Sequence, residues 1–237
     1  MAAADLLARL AAEPERAALL LDVDGTLAPI VARPEDAAVP EEARSELRRL
    51  AERYALVGCV SGRPSADAER VVGVPGLVYV GEHGLELAPE ALAWRARLDE
   101  FVREVDWAAE RKPLSVSFHW RTAPDPEAAE TYLERVAERA LAAGMRPRFG
   151  RKVLEIRPPV EADKGSAVRA LLAERGLNRA LYAGDDSTDL DAFRGLDGLE
   201  VAVRIAIASA EGPEDLAVAA DLVLGGPDAL LELLHQL

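Results

Sequence analysis

The chain has 237 residues, of which 50% are apolar and 30% charged, and its formal net charge is −14. That length suffices for a full core and for two domains, and the composition is that of an ordinary globular protein. The acid excess argues against nucleic acid or an anionic membrane as partner, because phosphate backbones select basic faces. Met1–Ala18 lacks a basic n-region and a long apolar stretch, so it does not read as a signal peptide, and no segment reaches the apolar length of a membrane span. Cys59 is the only cysteine, which points to a reducing cytoplasm.

The first third alternates short apolar runs with helical stretches. Ala18–Val23 reads as a strand, Pro40–Arg53 as a helix with proline in its first turn, and Ala55–Val60 as a second strand. Ser65–Val72 follows as a helix and Leu77–Val80 as a third strand. The middle third changes character. Ala91–Arg111 carries Leu98, Phe101, Val102 and Val105 at helical spacing. Leu114–Arg121 then alternates strictly, with Leu114, Val116, Phe118 and Trp120 on one face and Ser115, Ser117, His119 and Arg121 on the other. Pro126–Ala143 predicts a second helix, and Arg146–Phe149 with Val153–Ile156 a hairpin across Gly150-Arg151. Two helices covering one face of a small antiparallel sheet make an α+β insert, whose other face is polar with His119, Arg121, Glu155 and Arg157. Ala88-Pro89 and Pro158-Pro159 read as its hinges.

The last third resumes the first pattern: helix Lys164–Glu174, strand Ala180–Ala183, short helix Asp189–Arg194, strands Val201–Ile207 and Leu222–Leu224, and a closing helix Pro227–Leu237. Strands alternating with helices imply a doubly wound parallel sheet, an α/β core of Rossmann-like type. The expected division is a core of residues 1–87 and 160–237 with an inserted α+β cap of residues 88–159.

In such a sheet ligands bind beyond the carboxyl ends of the strands, and the polar motifs collect there. Leu19-Leu20-Leu21 runs into Asp22-Val23-Asp24-Gly25-Thr26, so a buried strand ends in two carboxylates one residue apart. Carboxylates at the edge of a core need compensation, and a divalent cation provides it. Ser61-Gly62-Arg63 closes the second strand and Gly81-Glu82-His83-Gly84 the third. Lys164 opens the helix after the insert, and Gly184-Asp185-Asp186 closes the next strand, with Asp189 three residues on. Only Lys112, Lys152 and Lys164 are lysines among 28 basic residues, a bias that marks lysine positions for a compact ammonium.

The roles follow from charge. Asp22 is placed to attack phosphorus, giving an acyl phosphate, and Asp24 to protonate the leaving oxygen and then deprotonate water. Mg²⁺ is expected on the Asp22 carboxylate, the Asp24 backbone carbonyl and Asp185. Lys164, the Ser61 hydroxyl and backbone N–H groups, including that of Gly62, would hold the phosphate. Asp186 and Asp189 would orient Lys164 and metal-bound water, with Thr26 beside them. Taken singly each motif has a plainer reading: a calcium loop for Asp-x-Asp-Gly, helix caps for Asp185 and Asp186, ordinary turns for Ser61-Gly62 and Gly81–Gly84, a hydrogen-bonding structural residue for His83 and a core thiol for Cys59. Their order along the chain carries the functional reading.

Asp22-Val-Asp-Gly-Thr26, Ser61, Lys164 and Gly184-Asp-Asp-x-x-Asp189 resemble the four motifs of the haloacid dehalogenase superfamily of phosphatases, and the insert resembles its larger α/β cap. Leu27-Ala-Pro-Ile30, Ser61-Gly-Arg63, Gly81-Glu-His-Gly-Leu85, Lys112 through His119-Trp-Arg121, and Leu154-Glu-Ile-Arg-Pro158 resemble the trehalose 6-phosphate phosphatases; Trp120 departs from the expected tyrosine, and Ala162-Asp163 is the departure that precedes Lys164. The resemblance implies a Mg²⁺-dependent trehalose 6-phosphate phosphatase, with a functional link to a trehalose-phosphate synthase. It implies that Lys112, His119, Arg121 and Glu155 grip sugar hydroxyls and that Arg63 and His83 line the same cleft. Other readings keep the chemistry for sucrose phosphate or mannosyl-3-phosphoglycerate, pass the phosphate to another sugar carbon as a phosphohexomutase does, or make the fold a non-catalytic sugar-phosphate sensor.

Overall fold

The structure is a computed structural model and describes residues 2–31, 33–150, 152–209 and 212–237. In chain order its first elements are α1 Ala3–Ala11, β1 Ala17–Leu21, α2 Glu41–Arg53, β2 Leu56–Val60, α3 Ser65–Val72 and β3 Val78–Val80. Next come α4 Arg95–Arg103, β4 Ala109–Arg111, β5 Val116–His119, α5 Pro126–Ala142, β6 Arg146–Gly150 and β7 Val153–Arg157. The chain ends with α6 Lys164–Arg175, β8 Arg179–Gly184, α7 Asp189–Gly195, β9 Val201–Ile207, α8 Glu214–Ala219, β10 Leu222–Leu224 and α9 Pro227–Leu234. Two units emerge, residues 1–84 with 162–237 and residues 85–161.

The first unit is built on a six-stranded sheet in the order β10-β9-β8-β1-β2-β3, with every pairing parallel. The strand order reverses between β1 and β8, which is where an open parallel sheet leaves a crevice at its carboxyl end. All five residues of β1 are buried, and their period-two alternation serves two cores. Ala17, Leu19 and Leu21 join the cluster formed with α2, α3 and α9, while Ala18 and Leu20 join the one formed with α6 and α7. Each leucine buried this way contributes about 1.5–3 kcal/mol. The same alternation carries Asp22, the next residue, onto the Leu20 side, and that side is covered by the helix whose first residue is Lys164.

The second unit is a four-stranded antiparallel sheet, β4-β5-β7-β6, with α4 and α5 on one face. Val116, Phe118, Leu154 and Ile156 face the helices. The cross-strand pairs Glu110↔Ser117 and Ser117↔Glu155 put polar residues on the other face.

The structure departs from the sequence pattern at several elements. The helix expected over Ala91–Arg111 is a 3₁₀ stretch, Pro89–Trp94, followed by α4, which stops at Arg103. Ala109–Arg111 is an edge strand instead. Val105 keeps the helical spacing because it sits two residues beyond the helix end and stays in the core, whereas Ala-Glu-Arg has no strand propensity of its own and is recruited by pairing with β5. Pro40 is the N-cap of α2 rather than part of its first turn. The closing helix ends at Leu234, short of Leu237. In the hairpin turn Gly150-Arg151, Arg151 lies outside the described residues.

Candidate active site

The site of the first unit grows from β1 and β8 where the strand order reverses. Asp22 continues the sheet for one more bond, its N–H donating to the Ala183 carbonyl at 2.9 Å. The chain then turns at once, with the Gly25 N–H donating to the Ala28 carbonyl at 2.8 Å. Lys164 begins α6, whose start is fixed by a capping box between Asp163 and Ser166. Its neighbour Gly165 lies so close to α7 that a Cβ there would come within 2.1 Å of the Asp191 carbonyl oxygen. That close helix approach brings the first residues of α6 and α7 together.

The result is an ammonium held between carboxylates. Lys164 Nζ is 2.9 Å from Asp22 Oδ2 and 2.7 Å from Asp189 Oδ1, and all three residues are buried. Asp189 is fully committed: Oδ1 accepts from Lys164 and from the Tyr182 hydroxyl at 2.8 Å, and Oδ2 accepts from the backbone N–H groups of Asp185 and Asp186 at 2.9 Å each. Burial keeps the Tyr182 phenol protonated and therefore a donor, and the flanking carboxylates hold Lys164 in its charged form against desolvation.

Asp22, Asp185 and Asp189 each present a carboxylate oxygen within 4.8 Å of the others. Three buried carboxylates share one ammonium, so the donor set is short of positive charge and fits a hard divalent cation. Asp189 has no lone pair left for it, which leaves Asp22 and Asp185 as the candidate side-chain ligands. The same shortage shows in the protonation behaviour. Burial pushes Asp22 up, against the pull of Lys164, and pushes Asp185 up to about 7, with Asp189 and Asp186 adding to the shift. Thr26, also buried, donates its hydroxyl to Asp185 Oδ1 at 3.4 Å. Asp186 turns its carboxylate to the Thr188 N–H at the start of α7.

The loops after β2 and β3 are stapled together. Ser61 N–H donates to the Val80 carbonyl at 3.0 Å, Glu82 N–H to the Arg63 carbonyl at 2.9 Å and His83 N–H to the Ser61 carbonyl at 2.9 Å. Ser61's own amide is thus engaged in the sheet, and its hydroxyl oxygen accepts from the Arg63 N–H at 3.2 Å, leaving the hydroxyl proton for a ligand. His83 sits in left-handed backbone at φ 55° and lays its ring on Gly62, where a Cβ would be 2.7 Å from the imidazole. Two consecutive non-glycine residues with positive φ, Glu82 and His83, are strained conformations that packing must hold. Arg63 turns to Asp24 and Asp67.

In the second unit the sequence-selected residues divide. Lys112 Nζ is 3.5 Å from Glu155 Oε1, and the Ser115 hydroxyl donates to the same oxygen at 3.2 Å. His119 pairs with Glu110 at 2.6 Å and lines a shallow cleft of about 530 Å³ with Trp107 and Thr122. Arg121 is exposed in the turn after β5. Tyr182, Asp67 and Ser115 are the site residues that the sequence reading missed. Asp67 was findable, four residues after Arg63 at the start of a helix; Tyr182 reads only as core.

A family model for trehalose-phosphatases matches residues 20–110 and 98–224. The chain belongs to this family. A trehalose-phosphate phosphatase of Mycobacterium avium is 34% identical over 246 residues, covering 93% of this chain and 61% of the relative. An uncharacterized glycosyl hydrolase of Mycobacterium tuberculosis is 37% identical over 215 residues, covering 80% of this chain and 16% of that protein. The chain therefore spans less than two thirds of the length of these curated relatives. Among solved structures, the C-terminal domain of the C. albicans trehalose-6-phosphate phosphatase superposes with a TM-score of 0.76 at 24% identity, over 98% of this chain and 96% of that one. The fold is shared with a haloacid dehalogenase-like hydrolase of Bacteroides thetaiotaomicron, at TM-score 0.60 and 16% identity over 92% and 98% of the chains. Among the described residues no helix is long and apolar enough to cross a membrane.

The raised Asp185 gives a signed prediction. Its ordinary value is 3.8, so in metal-free protein its contribution to stability is fully present below pH 3.8 and is lost as pH rises through about 7. In chelator, Asp185→Asn should therefore gain melting temperature relative to the parent chain between pH 5 and pH 8. Mg²⁺ should raise the parent's melting temperature at pH 8 and leave the variant's unchanged. A constant difference across that pH range contradicts the assignment.

Proposed function

We propose that the chain hydrolyses trehalose 6-phosphate to trehalose and inorganic phosphate through a phosphorylated Asp22. The observation that carries this reading is the buried Asp22–Lys164–Asp189 chain beside Asp185, in a member of the trehalose-phosphatase family.

An Asp22 carboxylate oxygen attacks phosphorus, the bond from phosphorus to the sugar oxygen breaks, and Asp24 gives that oxygen its proton. Water then attacks the same phosphorus, the bond to Asp22 breaks, and Asp24 takes the water proton. Lys164 stays charged throughout and sets its ammonium against the nucleophile and the transferring group, while Asp189 and Tyr182 fix it in place. The Ser61 hydroxyl donates to a phosphate oxygen, with Gly62 on the same loop. Asp22, Asp185 and the Asp24 backbone carbonyl would hold Mg²⁺, which would neutralise phosphate charge. Sugar recognition is assigned to Lys112, His119, Arg121 and Glu155 of the inserted α+β unit, with Arg63 and His83 of the first unit. The synthase that would supply the substrate is the expected functional partner, and the cytoplasm the expected compartment.

Asp22→Asn should abolish phosphate release, to below about a thousandth of the parent rate, with circular dichroism unchanged. Substantial residual turnover would remove Asp22 from the nucleophile role. Glu155→Ala should lower kcat/KM for trehalose 6-phosphate by about a hundredfold while changing hydrolysis of p-nitrophenyl phosphate by less than about threefold. Equal losses on the two esters would mean that Glu155 does not read the sugar.

A further inference from the structure

The acid–base carboxylate is not with the others. The acidic cluster found among the described residues is Asp22, Asp185 and Asp189, whereas the Asp24 carboxylate is turned to Arg63. Arg63 Nε donates to Asp24 Oδ2 at 2.6 Å and Nη2 to Oδ1 at 2.7 Å, so the pair is bidentate. The guanidinium is itself seated from behind. Its Nη1 donates to Asp67 Oδ2 at 2.6 Å and Nη2 also to the Pro34 carbonyl at 3.0 Å. Asp67 is steadied in turn by Arg70, from Nε at 2.9 Å and Nη2 at 2.6 Å. Asp67 and Arg70 stand three residues apart on α3, and Arg63 lies in the loop just before that helix, so the run of alternating charge crosses the helix start.

We propose that Arg63 is a latch on Asp24: without substrate it occupies both oxygens of the acid–base carboxylate, and the oxygens of an arriving sugar phosphate draw it off and set Asp24 free. The inference rests on the phosphatase reading and adds to it the control of its acid–base step. The bidentate guanidinium lies across the syn lone pair of each Asp24 oxygen, the more basic pair of a carboxylate, so proton transfer to the leaving sugar oxygen or from the attacking water through that face requires the pair to open. A guanidinium exchanges one set of oxygen acceptors for another at small net cost, and a phosphorylated sugar offers many. An ester without a sugar offers few. Its acyl phosphate then waits on Asp22 for a base that is still held, and the latch becomes a device for selectivity. Asp67, to which no role has otherwise been assigned, is the positioning residue that keeps Arg63 at its station.

The test compares Arg63→Gln, Asp67→Asn and the parent chain on two esters in Mg²⁺: trehalose 6-phosphate and p-nitrophenyl phosphate. Arg63→Gln should raise kcat for p-nitrophenyl phosphate by up to about fivefold, the scale of one partly exposed ion pair. The same variant should lower kcat/KM for trehalose 6-phosphate by about tenfold or more. Asp67→Asn should move both numbers the same way by less, and serves if Arg63→Gln does not fold. Opposite movement on the two esters is a result that a merely structural role does not give. Parallel loss on both, or no change in either, with an active parent chain overturns the latch and leaves the phosphatase reading standing. A parent chain that releases phosphate from neither ester overturns both.

Discussion

One buried ammonium governs the first unit. Lys164 is 2% exposed and has carboxylates on two sides, Asp22 at 2.9 Å and Asp189 at 2.7 Å. Removing one partner of such a pair leaves a charge without compensation inside the protein, at about 3–5 kcal/mol. The arrangement therefore ties the end of β1 to the starts of α6 and α7 as firmly as side-chain packing does. It also fixes the electrostatics of the site, because one positive charge among three buried carboxylates leaves room for a cation and then for an anionic substrate. Fold and chemistry depend on the same contact.

What surrounds that contact serves to keep it in register. The glycine at position 165 lets α6 approach α7 closely, so that Lys164 reaches Asp189. Tyr182 and two backbone amides complete the hydrogen-bond shell of Asp189 and leave its carboxylate no lone pair for a cation. On the other side of β1, the β2 and β3 loops are joined by backbone bonds and by the His83 ring lying on Gly62. Rigid elements thus carry Asp22, Ser61, Lys164 and Asp185, whereas the Asp24 side chain, 42% exposed, is held among the described residues by Arg63. The group proposed to move a proton twice in each turnover is the least buried of the set.

The parallel core was legible because its strands are short apolar runs, with polar motifs at the carboxyl ends of β1, β2, β3 and β8 and at the starts of α6 and α7. The period-two pattern of Leu114–Arg121 likewise gave the apolar face of the inserted sheet, with Val116 and Phe118 in its core. Pairing was less legible. The edge strand Ala109–Arg111 exists through its bonds to β5 and has no local signal, so the helical spacing before it was extended too far. Side-chain partnership was the least legible. Arg63 on Asp24 spans 39 residues and Tyr182 on Asp189 needs the strand and the helix already docked, so neither contact can be read from a motif. Lys112, just past the end of β4, reaches Glu155 of β7, while His119 of β5 pairs with Glu110 of β4.

The proposed chemistry is a metal-assisted carboxylate nucleophile turned on the phosphate of a disaccharide. Phosphate release measured in parallel from trehalose 6-phosphate, sucrose 6-phosphate, glucose 6-phosphate and mannosyl-3-phosphoglycerate, with Mg²⁺ and with chelator, tests it most directly. The predicted result is release that depends on Mg²⁺ and favours the trehalose ester over each of the others by at least about a hundredfold in kcat/KM. Equal rates on all four esters would contradict the substrate assignment, and rates unaffected by chelator would contradict the chemistry.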